Sequence, residues 1–345
     1  MFLNSVVRGG WVVALTAALV VAAPGAGSAG QEAAKLDKDQ RQDAEAAVKL
    51  VDAVMTGQAP AAAQAFTIGW SNDFLKAQDG RIYIPFTISI DAGALTTRTV
   101  TFYLRVISRT PAPPTAEGEK KTPAPYAFED VWFPKLAAPA PGQPFRFSRA
   151  FAVPAGDYDV YVAVRERPRD RKATPKASIL KQPTTVPDFW NGELATSSVI
   201  VAEGVEQLTK ALTPEEQAER PYTIGAMQLT PAANLDFTTN EELSVVFLVY
   251  NPALTDKKPD IQVEYKFHQK TPDGEKYFNR TPPTVLNADT LGAGFDLDLG
   301  YQLVAGQSVP LLMFPPGDYR LEIEVQDKLA EKTLTRDVFF TVAGS

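Results

Sequence analysis

The sequence predicts an all-β protein made of two tandem β-sandwiches, preceded by a signal peptide and an amphipathic helix. The first observation behind this is a turn that occurs twice, over 153–158 and over 314–319, with the shared pattern Pro-x-Gly-Asp-Tyr. Each copy leads into residues that alternate between apolar and polar, which is the period of a strand with one buried face. The two copies therefore predict a duplicated β domain.

A constant spacing between the two halves is the second observation. The spacing from Tyr158 to Tyr319 along the chain recurs in two further pairs of apolar residues, Phe86 with Phe247 and Val100 with Ile261. The segments 66–69 and 222–225 share the pattern aromatic-Thr-Ile-Gly at a slightly shorter spacing. We interpret these two segments as the openings of two domains with one topology.

We divide the chain on these signals. The predicted parts are a signal peptide over 1–29, an amphipathic helix over 30–58, a first sandwich over 64–202, a short helical linker over 203–221 and a second sandwich over 222–345. The strands expected to close the two sandwiches are 199–202 and 333–342. The Pro-rich segments 110–125 and 168–187 are expected to be flexible excursions of the first sandwich.

The N-terminus has the layout of a secretory signal peptide. Arg8 precedes an apolar run over 11–23, and the small residues Gly27 and Ala29 predict cleavage before Gly30. The run is shorter than the roughly 20 apolar residues that span a bilayer, and an uncleaved anchor is the alternative. The sequence therefore predicts an exported protein, periplasmic or extracellular, with no membrane span after cleavage.

The segment that follows has helical spacing to about Met55. Asp37 or Asp39 can cap its start, and Gly57 supplies its stop. One apolar stripe is formed by Ala44, Ala47, Val48, Val51, Val54 and Met55. We expect this stripe either to dock on the first sandwich or to bind a partner.

Composition narrows the function classes. The chain of 345 residues has no cysteine, one histidine and a net charge of −7. Without cysteine there are no disulfides, thiolate zinc sites or cysteine nucleophiles. The acidic balance argues against nucleic acid and anionic membrane surfaces as partners. His268 is expected to be an exposed strand residue, and we predict no cofactor and no catalytic residues.

Three carboxylates lie in one loop-rich stretch. Asp289, Asp296 and Asp298 could supply oxygen ligands to calcium, although their spacing is not that of an EF-hand loop. The alternative is that they are solvated loop acids. We predict no metal site.

The repeated turn also predicts a specific contact. Glycine permits positive φ, and the tyrosine at the start of the strand can donate to backbone a few residues upstream, as in a tyrosine corner. The corner residues are Gly156, Asp157 and Tyr158 in the first copy and Gly317, Asp318 and Tyr319 in the second. The pattern resembles the corner of fibronectin type III and immunoglobulin-like domains. This resemblance implies two tandem immunoglobulin-like sandwiches.

The second half carries a further resemblance. Residues 222–345 look like a module of uncharacterised secreted bacterial envelope proteins, in which a Pro-Pro-Gly-Asp-Tyr-Arg-Leu turn and strand precede a last strand such as 333–340. The resemblance implies a β-sandwich in an envelope setting and brings no activity with it.

Phe189 and Trp190 are the candidate binding loop. They lie between Pro187 and Gly192, just after a Pro-rich basic segment. Exposed aromatic side chains at the rim of a sandwich anchor sugar or protein partners. The alternative is that they fold back and cover the open end of the sandwich. The same question applies to Tyr126, Trp132 and Phe133.

We therefore expect a non-catalytic, secreted binding or scaffold protein of the bacterial cell envelope, with a protein or other envelope component as its partner. One alternative is a carbohydrate-binding accessory protein, which needs an exposed aromatic platform. The other is a carboxylate-dependent hydrolase, which needs clustered carboxylates in a cleft.

Overall fold

The structure is a computed structural model that describes residues 36–58, 64–110, 126–168, 170, 173–210 and 212–344. The predicted signal peptide lies outside these residues, as does most of the predicted excursion 110–125. The described chain is all-β with two helices, and it separates into two compact units between Asp188 and Phe189. We call them the first and the second domain. Neither described helix is long and apolar enough to cross a membrane.

The described part of the first domain contains one helix and eight strands. They are α1 (Lys38–Met55), β1 (Gly69–Asn72), β2 (Leu75–Lys76), β3 (Arg81–Ile90), β4 (Val100–Ser108), β5 (Phe128–Trp132), β6 (Phe145–Pro154), β7 (Gly156–Glu166) and β8 (Ala177–Val186). One sheet has β1, β2 and β6 on β3, and the other has the order β5-β4-β7-β8. In the core, Phe86 packs against Phe102 and Phe151 with ring centroids 6.1 and 6.0 Å apart.

Helix α1 docks on the first domain. It begins with a capping box in which Asp37 and Gln40 bond each other's backbone N–H. Two stripe residues, Ala47 and Val51, are fully buried. They pack against three side chains of β4 and β7, Tyr103, Tyr161 and Ala163. Docking, the first of the two expectations for this stripe, is therefore confirmed.

Ion pairs hold the same helix. Asp52 of α1 pairs with Arg105 of β4 at 2.5 Å, and the guanidinium side chain of Arg105 is only 3% exposed. The Asp43 carboxylate binds both Arg165 and Arg167, the latter at 2.7 Å. The contacts at the two ends of the helix fix its position along the sheet.

The described part of the second domain contains twelve strands, one short helix and two 3₁₀ turns. They are β9 (Ala195–Thr196), β10 (Ile200–Gln207), α2 (Pro214–Glu219), β11 (Thr223–Ile224), β12 (Met227–Pro231), β13 (Asp236–Thr238), β14 (Glu242–Tyr250), β15 (Ile261–Thr271), β16 (Gly274–Arg280), β17 (Thr284–Leu286), a 3₁₀ turn (Leu297–Leu299), β18 (Leu303–Pro310), a 3₁₀ turn (Leu311–Met313), β19 (Gly317–Asp327) and β20 (Lys332–Ala343).

These strands form two sheets around one core. One sheet has the order β11-β12-β10-β14-β18, with β9 also on β14. The other has the order β13-β20-β19-β15-β16, with β17 also on β15. The fully buried Phe247, Phe267 and Tyr319 lie in the core.

The strand pairings show the duplication directly. Strands β3, β4 and β7 begin at positions that correspond to the starts of β14, β15 and β19, at the same spacing that separates Tyr158 from Tyr319. Gly69 of β1 is opposite Ser89, and Ala195 of β9 is opposite Tyr250, which corresponds to Ser89 at this spacing. The pairing of β2 with β3 in the first domain likewise corresponds to the pairing of β10 with β14 in the second. Strands β9 and β10 are therefore the first strands of the second domain.

This finding corrects the predicted boundary. The segment 199–202, expected to close the first sandwich, contributes to β10, which pairs with β14 of the second. The predicted linker 203–221 lies inside the second domain, because its first residues continue β10 and pair with β12. The opening expected at Tyr222 leads into β11, which forms a hairpin with β12. This hairpin lies between β10 and β14 along the chain but extends the sheet on the other side of β10. Alternation predicts that a strand exists but does not specify its partner.

The predicted excursion 168–187 also needs a correction. Its second half forms β8, which pairs with β7 along its whole length. Pro183 and the lysines suggested a loop, but β8 is the last strand of its sheet. An edge strand tolerates proline and charge, because one row of its backbone groups has no partner strand.

Candidate functional site

Both repeated turns form the same corner. The Tyr158 hydroxyl donates to the carbonyl oxygen of Pro154 at 3.0 Å, and the Tyr319 hydroxyl donates to that of Pro315 at 2.6 Å. Burial raises the pKa of both tyrosines. Each hydroxyl thus closes the turn that leads into β7 or β19.

The other corner residues have structural roles as well. Gly156 and Gly317 have φ of 147° and 151°, a region that side chains rarely adopt. The Asp157 carboxylate accepts from the Thr185 hydroxyl at 2.6 Å. In the second copy, the Asp318 carboxylate accepts from the Thr341 hydroxyl at 2.9 Å. The six residues therefore fix the two turns.

Phe189 and Trp190 have opposite environments. Phe189 is 5% exposed, and its ring centroid lies 5.0 Å from that of Tyr250. Trp190 is 44% exposed. Both belong to the second domain, whereas the sequence suggested the first. Phe189 is therefore packed inside the second domain, and Trp190 is the ring exposed to solvent.

Trp190 lies at one end of the second sandwich, which we call the loop end. It consists of the segments 189–194, 251–260, 291–301 and 327–332, which lie where β14 and β19 finish and where β15, β18 and β20 begin. Four large apolar side chains are exposed here. They are Trp190 at 44%, Leu254 at 43%, Leu299 at 69% and Leu329 at 41%.

Polar contacts join the segments of the loop end. The Asn251 side-chain amide donates to the carbonyl oxygens of Phe189 at 3.0 Å and Glu193 at 2.8 Å. Glu193 pairs with Lys332 at 2.7 Å. The fully buried Asp327 carboxylate accepts from three backbone N–H groups, those of Ala253, Leu329 and Ala330. These bonds connect segments 189–194, 251–260 and 327–332.

Two lysines attach the remaining segment. The Lys258 ammonium donates to the carbonyl oxygens of Gly292, Ala293 and Phe295 at 2.5 to 3.2 Å. Lys257 pairs with Asp296 at 2.8 Å. The loop that carries Leu299 is thereby held to the loop that carries Leu254.

Backbone strain is concentrated at the same end. Five described non-glycine residues have positive φ, and four of them lie here, with φ between 49° and 63°. They are Asn251, Asp256, Lys257 and Glu331. Asn and Asp tolerate this conformation, but Lys and Glu adopt it at a cost. The polar contacts must therefore hold these loops in a conformation they would not adopt alone.

The three carboxylates that could have supplied calcium ligands do not form a metal-binding group in the described residues. Asp296 is occupied by Lys257, whose hydrogen bond lowers the pKa of Asp296, and it also accepts from the Asp298 backbone N–H. Asp289 bonds through its own N–H to the side chain of Asn287. Within the described residues, no group of three His, Asp or Glu is placed to hold a metal ion.

His268 belongs to a row across the outer face of the β15–β19 sheet, which we call the aromatic row. It lies opposite Tyr277 on one side and Arg320 on the other, and Arg320 lies opposite Phe339. Tyr277 and Phe339 are 59% and 51% exposed. The His268 side chain is 18% exposed, with Nε2 3.7 Å from Glu322, so its expected exposure is wrong. The strand pattern alone places the imidazole at the surface, but side chains on the two neighbouring strands shield it from solvent.

The aromatic residues of the first domain that raised the same question pack within it. Tyr126 lies under the Arg105 guanidinium at 4.0 Å. Trp132 packs against Phe102 with centroids 5.5 Å apart, and Phe133 lies beside Arg167. They do not form an exposed platform.

Three exposed leucines of the loop end, Leu254, Leu299 and Leu329, were missed by reasoning from the sequence. Leu254 follows Pro252 closely, and Leu299 directly precedes Gly300. A large apolar residue next to such a turn-forming residue is a usable signal, because loop positions are mostly polar. The strand topology is still needed to bring the three together.

Comparison with known proteins does not assign the chain to a protein family. No protein-family model matches the chain, and the search of curated proteins found no match. Among solved structures, Escherichia coli alpha-2-macroglobulin activated by porcine elastase is 11% identical over 80% of this chain and 23% of that chain, with a TM-score of 0.24. Salmonella alpha-2-macroglobulin reacted with methylamine is 12% identical over 81% and 17%, with a TM-score of 0.22.

A third similar structure is the purple acid phosphatase PPD1 of yellow lupin. It is 11% identical over 81% of this chain and 41% of that chain, with a TM-score of 0.23. The chain spans less than half the length of each of these three proteins. Similarities at this level say nothing about function.

Proposed function

We propose that this is a non-catalytic binding or scaffold protein of the bacterial cell envelope, exported to the periplasm or beyond, and that it binds a protein partner through the loop end of its second domain. The observation that carries the proposal is the set of four exposed apolar side chains on loops that are tied together by polar contacts. Exposed apolar patches mark interaction sites in soluble proteins, and Trp is among the residues most enriched at binding hot spots.

The rigidity of the loops favours binding. Association costs free energy for every segment that must become ordered. Here Asn251, Asp327 and Lys258 already fix the loops through eight hydrogen bonds to backbone groups. Trp190 and Leu299 are therefore presented without a large ordering cost, and their apolar area is available to a partner.

The carboxyl groups support the non-catalytic part of the proposal. A glycosidase-type acid needs a raised pKa to hold its proton at neutral pH. Among the described carboxyl groups, those whose pKa departs clearly from the ordinary value all lie below it. They are Asp159, Glu166, Glu193, Glu216, Glu275, Asp296 and Glu322. These groups are held ionised and act as ion-pair partners and turn acceptors.

The aromatic row favours a second candidate function, carbohydrate binding. Tyr277 and Phe339 lie on the same row of an exposed sheet face and are separated by three strand spacings, roughly 14 Å. Sugar rings stack on exposed aromatic side chains. However, Arg320 between them is already paired with Glu275, Glu322 and Asp337. Fewer polar groups therefore remain for sugar hydroxyls, and the loop end is the stronger candidate.

Capture with matched variants tests the proposal. The mature protein and the variants Trp190→Ala and Leu299→Ser are immobilised, and envelope extract of the native bacterium is passed over each. Leu312→Ser is the control, because Leu312 is 69% exposed at the opposite end of the same domain. We expect one set of proteins retained by wild type and Leu312→Ser and lost from both loop-end variants.

The same variants give an affinity. With the captured partner in solution, loss of an anchor should raise the dissociation constant roughly 30-fold, which corresponds to about 2 kcal/mol. The melting temperature should not change. Equal retention on all four columns would show that the loop end is not the binding surface. Loss from the loop-end columns together with a lowered melting temperature would show that these residues support the fold.

A further inference from the structure

The first domain contains an open cleft of about 400 Å³ that is separate from the loop end. It lies between the segment before β4, the segment after β5 and the end of β7. Its lining residues are Thr96, Thr97, Arg98, Thr99, Lys135 and Pro168. The volume falls in the range of about 300 to 1,000 Å³ that small-molecule sites occupy.

Two cations of the cleft have no acidic partner within the described part of the chain. Arg98 and Lys135 are both exposed, and neither forms an ion pair with any described carboxylate. The neighbouring Arg167 is different, because Asp43 binds it at 2.7 Å. An isolated bridge between Thr99 and Lys135 places the segment that carries Arg98 beside the segment that carries Lys135. Both residues line the cleft, which therefore offers two positive charges to a ligand.

The threonine hydroxyl groups of the cleft are already used as donors. The Thr96 hydroxyl donates to Glu166 at 2.9 Å, and the Thr99 hydroxyl donates to the Arg167 carbonyl oxygen at 2.9 Å. The Thr97 and Thr99 hydroxyl oxygens are 3.0 Å apart. Because the Thr99 hydroxyl already donates its proton to Arg167, the Thr97 hydroxyl must be the donor in the bond between the two threonines. The Thr97 oxygen already accepts from the Thr99 backbone N–H at 3.3 Å, and the Thr99 oxygen accepts from the Thr97 hydroxyl, so each keeps one lone pair for a ligand. They favour a ligand that donates hydrogen bonds.

Glu166 supports the cleft from inside. It is 1% exposed and accepts from the backbone N–H groups of Thr96, Thr97 and Lys176. Burial raises its pKa, but these N–H groups and the Thr96 hydroxyl more than offset burial, and the pKa lies below the ordinary value. The carboxylate is therefore fully occupied inside the domain and fixes the threonine segment in place.

We propose that this cleft binds an acidic saccharide, a sugar unit that carries a carboxylate or phosphate together with free hydroxyl groups. Arg98 and Lys135 bind the anionic group, and the threonine oxygens accept from the sugar hydroxyls. Pro168 gives an apolar surface for the C–H face of the ring. A simple inorganic anion fits less well, because it has few hydrogens to donate to the threonine oxygens.

Ligand-observed NMR and calorimetry on the whole mature protein test this site. The probes are glucuronate, glucose 6-phosphate, an oligogalacturonate, glucose and inorganic phosphate. We expect the first three to bind at least about tenfold more tightly than the last two, and to lose affinity at high salt. If the oligogalacturonate binds most tightly, the natural ligand is an acidic polymer. If glucose 6-phosphate binds most tightly, the natural ligand is a phosphorylated sugar.

Variants assign the binding to the cleft. The double variant Arg98→Gln, Lys135→Gln should bind acidic sugars about tenfold or more weakly. Lys49 is an exposed cation of α1, and Lys49→Gln should leave the binding unchanged. Thr97→Val should weaken the binding of glucuronate but not the binding of phosphate. Equal binding of phosphate and glucuronate would overturn the saccharide assignment. Undiminished binding in the double variant, or no binding of any acidic sugar, would overturn the site.

Discussion

The Tyr158 hydroxyl and the Pro154 carbonyl oxygen are joined by a hydrogen bond of 3.0 Å across the turn that leads into β7. The second domain repeats this relationship between Tyr319 and Pro315. The two copies of the turn share the same glycine, aspartate and tyrosine at corresponding positions of the two domains. The shared contact is one that a phenylalanine could not make.

Removing either hydroxyl should destabilise only its own domain. Tyr158→Phe and Tyr319→Phe each remove one buried hydrogen bond, which is worth about 1 kcal/mol in the free energy of unfolding. Tyr277→Phe is the control, because Tyr277 is 59% exposed. Denaturant melts measure the three changes. Stability equal to wild type in both corner variants would remove the tyrosine-corner argument.

The corrected boundary predicts which fragments fold. The fragment 189–345 contains β9 and β10 and should unfold cooperatively. The fragment 222–345 lacks β10, which pairs with β12 on one side and β14 on the other. It should therefore be unfolded or lack a cooperative transition by calorimetry and circular dichroism. If both fragments melt alike, β10 is dispensable and our domain assignment is wrong.

Glu166 predicts a pH-dependent stability. Its pKa is lowered in the folded state, so its stabilisation is complete above the ordinary glutamate value of about 4.3 and is lost as the pH falls through the lower folded value. Glu166→Gln should cost about 2 kcal/mol at neutral pH, because a charged acceptor of several N–H groups is replaced.

The pH profile distinguishes this effect from a packing defect. The stability difference between wild type and Glu166→Gln should shrink as the pH falls below about 4. Urea melts at a series of pH values measure it. A difference that stays constant over the whole acidic range would show that the charge of Glu166 does not matter.

Docking of α1 predicts the effect of a charge on its buried face. Val51 is fully buried, so Val51→Asp would place an unpaired carboxylate against the sheet and should release the helix. Lys49→Asp puts the same charge on the exposed face. Limited proteolysis should cut within 38–55 about tenfold faster in the first variant and at the wild-type rate in the second. Equal rates would mean that the buried stripe does not hold the helix.

The sequence predicted the strands whose own pattern is strong. Alternation after the repeated turns identified β7 and β19, and the turns themselves placed both corners, because these signals are local. The start of the second domain could not be found in the same way. Ile200 begins a short apolar segment that suits either sandwich, and only its pairing with Val246 assigns it to the second.

The candidate site was predicted only in part. Phe189 and Trp190 were found because two large rings between turn formers are conspicuous. Which ring is exposed depends on Tyr250, which is distant in the sequence and against which Phe189 packs. Leu254 and Leu299 join Trp190 at one end only because of the strand order, which local sequence does not contain. The ionic contacts that brace the loops are equally non-local.

Site-specific photo-crosslinking in the living bacterium tests the central claim most directly. A photoreactive residue is placed singly at Trp190, Leu254, Leu299 and Leu329, and at Leu312 and Met313 of the opposite end, which are 69% and 74% exposed. The proposed function predicts that the four loop-end positions give one common adduct, which mass spectrometry identifies as a single envelope protein, and that the other two positions do not. Adducts of equal yield at both ends, or none at any loop-end position, would contradict the assignment of the loop end as the binding surface.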